Sequence, residues 1–347
     1  MTEFIPLIAS GLLALQVPAV FILLPRLLRG PGRQPPLAPL KSHPETVGTT
    51  SVVVPTLNEA ERLGPCLEGL SAQGDELREI LVVDSRSTDG TPDLVEAARQ
   101  TDPRFQLMCD DPLPANWVGR PWALHSGYLA TSKESRYVLG IDADTQPQPG
   151  LIAALIDAVD RLGYDVISLS PQFILKYPGE WWLQPALLMT LIYRFDSAGV
   201  RAQVPERVMA NGQCFFCKRE VLDAVDGYTT AASSFCDDVT LARKMAVSGY
   251  RVGFLDGARV FKVRMYEGLA ETWQEWGRSL DLKDASSRWQ LWSDLWLLAC
   301  VQGLPILALP LLLAALAAGV TSPVLMAAAG VNGFLVVMRF GLLLAIA

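Results

Sequence analysis

Between Ser51 and Asp144, short apolar runs rich in β-branched residues repeatedly stop against acidic residues. Ser51-Val52-Val53-Val54-Pro55 leads to Thr56-Leu57-Asn58-Glu59, and Glu79-Ile80-Leu81-Val82-Val83 leads to Asp84. Tyr137-Val138-Leu139-Gly140-Ile141 leads to Asp142-Ala143-Asp144. Runs of this length and composition are predicted buried strands. Between them, Ala60 to Gln73 shows helical spacing, with Leu63, Cys66, Leu67 and Leu70 on one face. The loop Ser85 to Thr91 caps a helix over Pro92 to Arg99, and the stretch Pro114 to Ala123 feeds another through Ala130. Strand, turn and helix in repetition are the grammar of an open parallel α/β sheet. Ligands of such sheets bind beyond the carboxyl ends of the strands. Glu59, Asp84, Asp142 and Asp144 all fall at such ends.

Carboxylates gathered at one edge repel one another unless a cation or basic group stands among them. Hard divalent cations take oxygen ligands and usually arrive with a phosphate-bearing substrate. The pattern therefore points to a metal–nucleotide site around Asp142 and Asp144. The competing reading is a solvated turn, since Pro147, Pro149 and Gly150 follow. Arg120 either meets phosphate or base oxygens or is a surface charge. Asp237 and Asp238 by themselves can simply start a helix through Val247, where acids favour the first turn.

Charge and rare residues narrow the function further. The net charge of −7 argues against a nucleic-acid partner, which needs a basic face. His43 and His125 are the only histidines, which argues against a His-based triad. Cys214 and Cys217 have metal-ligand spacing, but no second pair or nearby His completes a zinc set. The six cysteines are read as buried thiols in a reducing compartment.

Half of the chain is hydrophobic, and the excess collects at the two ends. Phe4 to Leu24 suits the ~20 residues needed to cross a bilayer. A signal peptide should open with basic residues, whereas Arg26, Arg29, Arg33 and Lys41 follow the run. By the positive-inside rule the N-terminus is outside and the rest begins in the cytoplasm. Gly30 to Gly48 reads as a linker. Pro185 to Phe195 is too short to span, and is either a core helix or an interfacial one. Trp273, Trp276, Trp289, Trp292 and Trp296 recur with Arg278, Lys283 and Arg288, which suits either a headgroup layer or a soluble core helix. Leu295 to Ala318 and Pro323 to Ala347 are long enough to span out and back. The expected plan is an N-terminal anchor and linker over 1–49, a catalytic domain over 50–265, an interfacial segment over 266–294 and a membrane hairpin over 295–347.

The strand ending in Pro55 with Asn58-Glu59, the Val83-Asp84…Ser87-Thr88-Asp89-Gly90-Thr91 loop and Asp142-Ala143-Asp144 together resemble the family 2 glycosyltransferases. The resemblance runs from about Ser51 to about Lys283 and includes Asn211-Gly212-Gln213-Cys214-Phe215-Phe216. Phe235-Cys236-Asp237-Asp238-Val239 is similar to the family's Glu-Asp catalytic motif, with Asp237 in place of Glu. The N-terminal anchor, the Trp117 to Ala123 stretch and the C-terminal hairpin are most similar to the bacterial carotenoid and hopanoid-associated members.

The resemblance implies an α/β fold: a GT-A, Rossmann-like nucleotide-sugar domain with one N-terminal and two C-terminal transmembrane helices. It implies transfer with inversion from a nucleotide sugar to a hydroxylated isoprenoid lipid, at the inner membrane with the catalytic domain cytoplasmic. Asp144, with Asp142 as second ligand or ribose contact, would hold Mg²⁺ or Mn²⁺. Pro55, Glu59, Asp84 and Arg120 would bind the nucleotide sugar, Asp238 would be the base and Asp237 would orient it. Departures are Ser85 and Arg86 in place of an acidic residue and Gly, Arg120 where many members have Lys, and an altered Gln-x-x-Arg-Trp signature. That last change makes Arg278 a candidate diphosphate clamp at a different spacing. The rival activity is transfer to a polyprenyl phosphate, whose anionic acceptor needs no strong base. A non-catalytic membrane scaffold is the remaining alternative.

Overall fold

The computed structural model describes residues 4–202, 204–279 and 287–346. In chain order the elements are α1 (Phe4–Leu28), β1 (Thr50–Thr56), α2 (Gly64–Ser71), β2 (Leu77–Asp84), α3 (Thr91–Thr101), β3 (Phe105–Cys109), α4 (Gly119–Ala130), β4 (Tyr137–Ile141), β5 (Thr145–Pro147) and α5 (Leu151–Leu162). There follow β6 (Val166–Ser170), β7 (Gln172–Phe173), α6 (Pro178–Phe195), β8 (Cys214–Lys218), α7 (Arg219–Ala224), α8 (Asp237–Val247), β9 (Val252–Asp256) and β10 (Phe261–Val263). The chain ends with α9 (Gly268–Ser279), α10 (Arg288–Leu298), α11 (Leu304–Ala317) and α12 (Pro323–Ile346). These elements form two units: Arg33–Leu175 with Ala198–Tyr266, and Met1–Gly32 with Lys176–Ser197 and Glu267–Ala347.

The first unit is built on a sheet of order β3-β2-β1-β4-β8-β6-β9, with β5-β10-β7 as a second, smaller sheet. β1 lies parallel to both β2 and β4. The order reverses at this pair, because β2 and β3 extend to one side of β1 and β4 lies on the other. Their carboxyl ends, Thr56 and Ile141, therefore border the crevice in which such sheets bind ligands. β1 is buried on both faces, as a central parallel strand must be. Val52 and Val54 join one apolar cluster with Ile80, Val82, Leu139 and Ile141. Val53 joins the other with Val83, Val138 and Leu124. Helix α4 crosses β1 closely at Gly127, where a Cβ would stand 2.3 Å from Val53 Cγ1.

The open sheet expected from the sequence is present, with one difference in direction. β8 runs antiparallel to both of its neighbours, β4 and β6. A strand reached after an excursion from residue 171 to residue 213 carries no local signal of its direction. Helix α2 starts at Gly64 and not at Ala60, because the amides of Arg62 and Leu63 close a turn on the Glu59 carbonyl at 3.0 and 2.8 Å. The cysteines also need correction. Cys66, Cys214, Cys217 and Cys300 are buried, but Cys109 is exposed and Cys236 is half-buried. Cys109 ends the edge strand β3, and Cys236 caps α8, so each has an open side.

Among its described residues the second unit has three helices long and apolar enough to cross a membrane: Phe4–Gly32, Arg288–Ala317 and Pro323–Leu344. This is the organisation of a multi-pass membrane protein. The middle span joins α10 to α11 through a π-helical turn over Ala299–Gly303. It starts at Arg288, so Trp289, Trp292 and Trp296 stand on its own first turns. Lys283 lies outside the described residues. Ala19 and Leu23 of α1, Met189 and Tyr193 of α6, Leu297 of α10 and Leu335 of α12 share one apolar cluster. Two polar pairs inside this unit are matched. Gln16 Nε2 donates to Asn332 Oδ1 at 2.9 Å, and Asn332 Nδ2 returns a bond to Gln16 Oε1 at 2.9 Å. Arg194 pairs with Asp294 at 3.0 Å.

Candidate active site

The carboxyl edge of the sheet brings together residues that are far apart in the chain. Asp142 follows β4 directly, and its amide donates to the Gln213 carbonyl at 3.4 Å. Thr145 Oγ1 donates to the Asp142 carbonyl at 2.7 Å, which closes the Asp142-Ala143-Asp144 turn. Arg120 enters from the first turn of α4. Its Nε and Nη2 donate to Asp142 Oδ1 at 3.0 and 2.8 Å, and Nη2 also donates to the Gly212 carbonyl at 2.9 Å. Its Nη1 donates to Asp237 Oδ2. Asp237 and Asp238 are the first two residues of α8, as the helix-start reading expected. They also belong to the site. Asp238 Oδ2 accepts from the Gly212 amide at 2.6 Å.

The two readings of Arg120, as a phosphate ligand or a surface charge, both missed its partners. Like Arg62 beside Glu59 and Asp144, it is a basic group among the crowded carboxylates. Burial opposes its charge, but Asp142, then Asp237 and Asp238, hold its pKa well above the usual arginine value. The acids respond in the opposite sense. Burial, then Asp142 and Glu59, push Asp144 up to about 7. Burial raises Asp237 against the lowering effect of Arg120. Burial and the Asp237 charge push Asp238 up to about 6, with Arg120 opposing. Burial also raises Glu59, which stands in the turn after β1 with its amide donating to Thr91 Oγ1 at 2.9 Å.

Pro55 lies on β1 opposite Val83 of β2. Asp84 ends β2 and is tied into its own loop. Its Oδ1 accepts from Thr56 Oγ1 at 3.2 Å and Ser87 Oγ at 2.5 Å, and its Oδ2 accepts from the Ser87 amide at 2.9 Å. Arg278 is on α9, in the other unit, and its side chain lies outside the described residues. Thr56, Ser87 and Gly212 were not singled out from the sequence. Ser87 follows Asp84 by three residues, the reach of a side chain back to its own turn, and this was a legible signal. The Gly212 peptide had none, because it acts through its backbone.

A divalent cation fits the donor set. Asp144 Oδ1 is buried with no hydrogen-bond partner among the described residues. The Arg120 bonds to Asp142 fall on Oδ1, which leaves Oδ2 to a ligand. No group of three or more His, Cys, Asp or Glu among the described residues is placed to hold a metal ion by itself. Two carboxylates with the balance from phosphate and water is the usual arrangement for Mg²⁺.

This open α/β sheet, with its acidic crevice at the switch point, defines a nucleotide-binding class of fold. The family model for glycosyl transferase family 2 matches residues 51–226, and the chain belongs to that family and is a glycosyltransferase. Its fold is the GT-A, Rossmann-like one, with one N-terminal and two C-terminal membrane-spanning helices. It is 25% identical over 275 residues to the 4,4'-diaponeurosporenoate glycosyltransferase of Staphylococcus haemolyticus, covering 78% of this chain and 72% of that one. It is 27% identical over 208 residues to the polyprenol monophosphomannose synthase of Mycolicibacterium smegmatis, covering 58% and 74%. Among solved structures it is similar to the mannosyltransferase PcManGT from Pyrobaculum calidifontis in complex with GDP-Man and Mn²⁺, with a TM-score of 0.55, 20% identity and 96% of each chain covered.

Proposed function

We propose that the chain is a metal-dependent, inverting enzyme that moves a hexose from a nucleotide sugar to a hydroxyl of an isoprenoid lipid, with a carotenoid as the acceptor class. The reading rests on one observation above the others: acids outnumber the cations among them at the sheet's switch point. Asp142, Asp237 and Asp238 face Arg120, Glu59 and Asp144 face Arg62, and Asp144 retains a buried oxygen with no hydrogen-bond partner among the described residues.

Asp144 and Asp142 would hold Mg²⁺ or Mn²⁺, which on binding neutralises the diphosphate leaving group by Lewis acidity. Pro55, Glu59 and Asp84 line the carboxyl ends of β1 and β2 and would receive the ribose and base. Asp84 has most of its acceptor capacity used by Thr56 and Ser87, so it presents a fixed edge and not a mobile one. Inversion in a single displacement needs one base on the acceptor hydroxyl. Asp238 takes that proton as the oxygen attacks C1 through an oxocarbenium-like transition state. The hydrogen bond it accepts from the Gly212 amide fixes the carboxylate, and Asp237 orients it through Arg120.

The carotenoid assignment draws on the resemblance to bacterial carotenoid glycosyltransferases, those of myxol glycoside synthesis in particular, and on the S. haemolyticus relative. The basic residues after α1 favour a cytoplasmic catalytic unit. The M. smegmatis relative favours a second reading, transfer to a polyprenyl phosphate. Purified protein in detergent, labelled nucleotide sugars and a bacterial isoprenoid extract separate the two. A metal-dependent neutral glycolipid supports the first reading. An anionic, acid-labile product, with Asp238→Asn tolerated, supports the second.

A further inference from the structure

We propose that Gly212 is a positioning residue that sets the base and its counter-cation with a single stretch of backbone, an inference that rests on Asp238 being the base. The Gly212 amide donates to Asp238 Oδ2 at 2.6 Å, and the Gly212 carbonyl accepts from Arg120 Nη2 at 2.9 Å. Arg120 in turn holds Asp142 and Asp237. One glycine therefore touches the acceptor-side carboxylate and the cation that neutralises the donor-side one.

The turn carrying Gly212 is itself held in place. Asn211 Oδ1 accepts from the Gln213 amide at 3.1 Å, and Asn211 Nδ2 donates to Gln213 Oε1 at 3.0 Å. Ser168 Oγ accepts from the Asn211 amide at 2.7 Å and donates to the Asn211 carbonyl at 2.9 Å. A fixed turn makes a fixed hydrogen-bond donor, which is how a base is kept within reach of its proton.

The requirement for glycine here is one of space. A Cβ at this position would lie 2.3 Å from Arg120 Nη2, 2.8 Å from Cζ and 3.0 Å from Nη1. A guanidinium at the end of a flexible stem usually yields cheaply. This one is held at Asp142, Asp237 and the Gly212 carbonyl at once, so a methyl group there must dislodge it from all of them.

The test is a double-mutant cycle in the full-length enzyme in detergent, with donor binding measured by calorimetry. Gly212→Ala is expected to lower kcat ~100-fold, the cost of misplacing a reacting group by about 1 Å. In an Arg120→Lys background the guanidinium fork is replaced by a single ammonium on a thin stem. There the same alanine is expected to cost at most ~10-fold, because contacting residues are coupled and not additive. An equal cost in both backgrounds overturns the proposal. Asn211→Ala adds no volume and serves if Gly212→Ala does not fold. It should lower kcat at constant donor Kd, and an unchanged kcat overturns the proposal. Failure of the base assignment shows separately, as full transfer by Asp238→Asn.

Discussion

In the helical unit, Arg194 meets Asp294 at 3.0 Å, and the amides of Gln16 and Asn332 exchange two hydrogen bonds. At the edge of the sheet, Arg120 faces Asp142, Asp237 and Asp238, and Asp144 stands nearby with a buried oxygen that has no partner among the described residues. The first arrangement balances charge and satisfies polar atoms, which is what an apolar bundle needs to hold one register. The second leaves acid in excess. Excess buried acid raises carboxylate pKa values, costs stability and is kept only where a cation or a proton is to be received. The contrast separates polar groups that build the fold from polar groups that act.

The comparison can be broken most sharply at the base. Asp238→Asn keeps shape and removes proton-accepting power. Transfer should fall ~10³-fold or more, within the range of general-base catalysis, while donor binding by calorimetry stays near wild type. Loss of binding instead would mean that the acid builds the site and does not act in it. Asp294→Ala should show the opposite character. Removing one member breaks the buried pair, so thermal unfolding in detergent should report a loss of about 3–5 kcal/mol. Replacing both Arg194 and Asp294 with apolar residues of similar volume should recover most of it.

A smaller effect is expected from pH. The Asp238 pKa is raised to about 6, so the active carboxylate is present above that value and lost as pH falls through it. The rate of transfer should drop about tenfold per unit below pH 6, where an ordinary aspartate would hold its charge to about 4. A flat profile between pH 5 and 7 would remove Asp238 from the proton transfer. The smallest effect belongs to Gln16→Ala. Interhelical hydrogen bonds of this kind contribute about 0.6–2 kcal/mol, so unfolding should shift slightly and transfer should not change.

Much of this organisation was legible along the chain. β1, β2 and β4 were readable because four or five apolar residues ending at an acid can be little else in a sheet of this kind. The ends of helices were less so. α2 starts at Gly64 because Arg62 and Leu63 turn back on Glu59, and hydrophobic spacing does not distinguish such a turn from helix. Cys109 and Cys236 are less buried than their residue type suggests, because exposure at the end of an element depends on what packs beside it. The direction of β8 was out of reach for the same reason.

The sequence by itself determined the alternation of buried strand and helix, the acids at the strand ends, the membrane-length helices and the resemblance to the family. These follow from local composition and periodicity, which each segment carries with it. Only the tertiary structure decided the pairing of charges. Arg120 reaches Asp142 across 22 positions and Asp237 across 117, and Gly212 reaches Asp238 across 26. Coulomb energies and hydrogen bonds depend on distance in space, and separation along the chain says almost nothing about that until the sheet has closed.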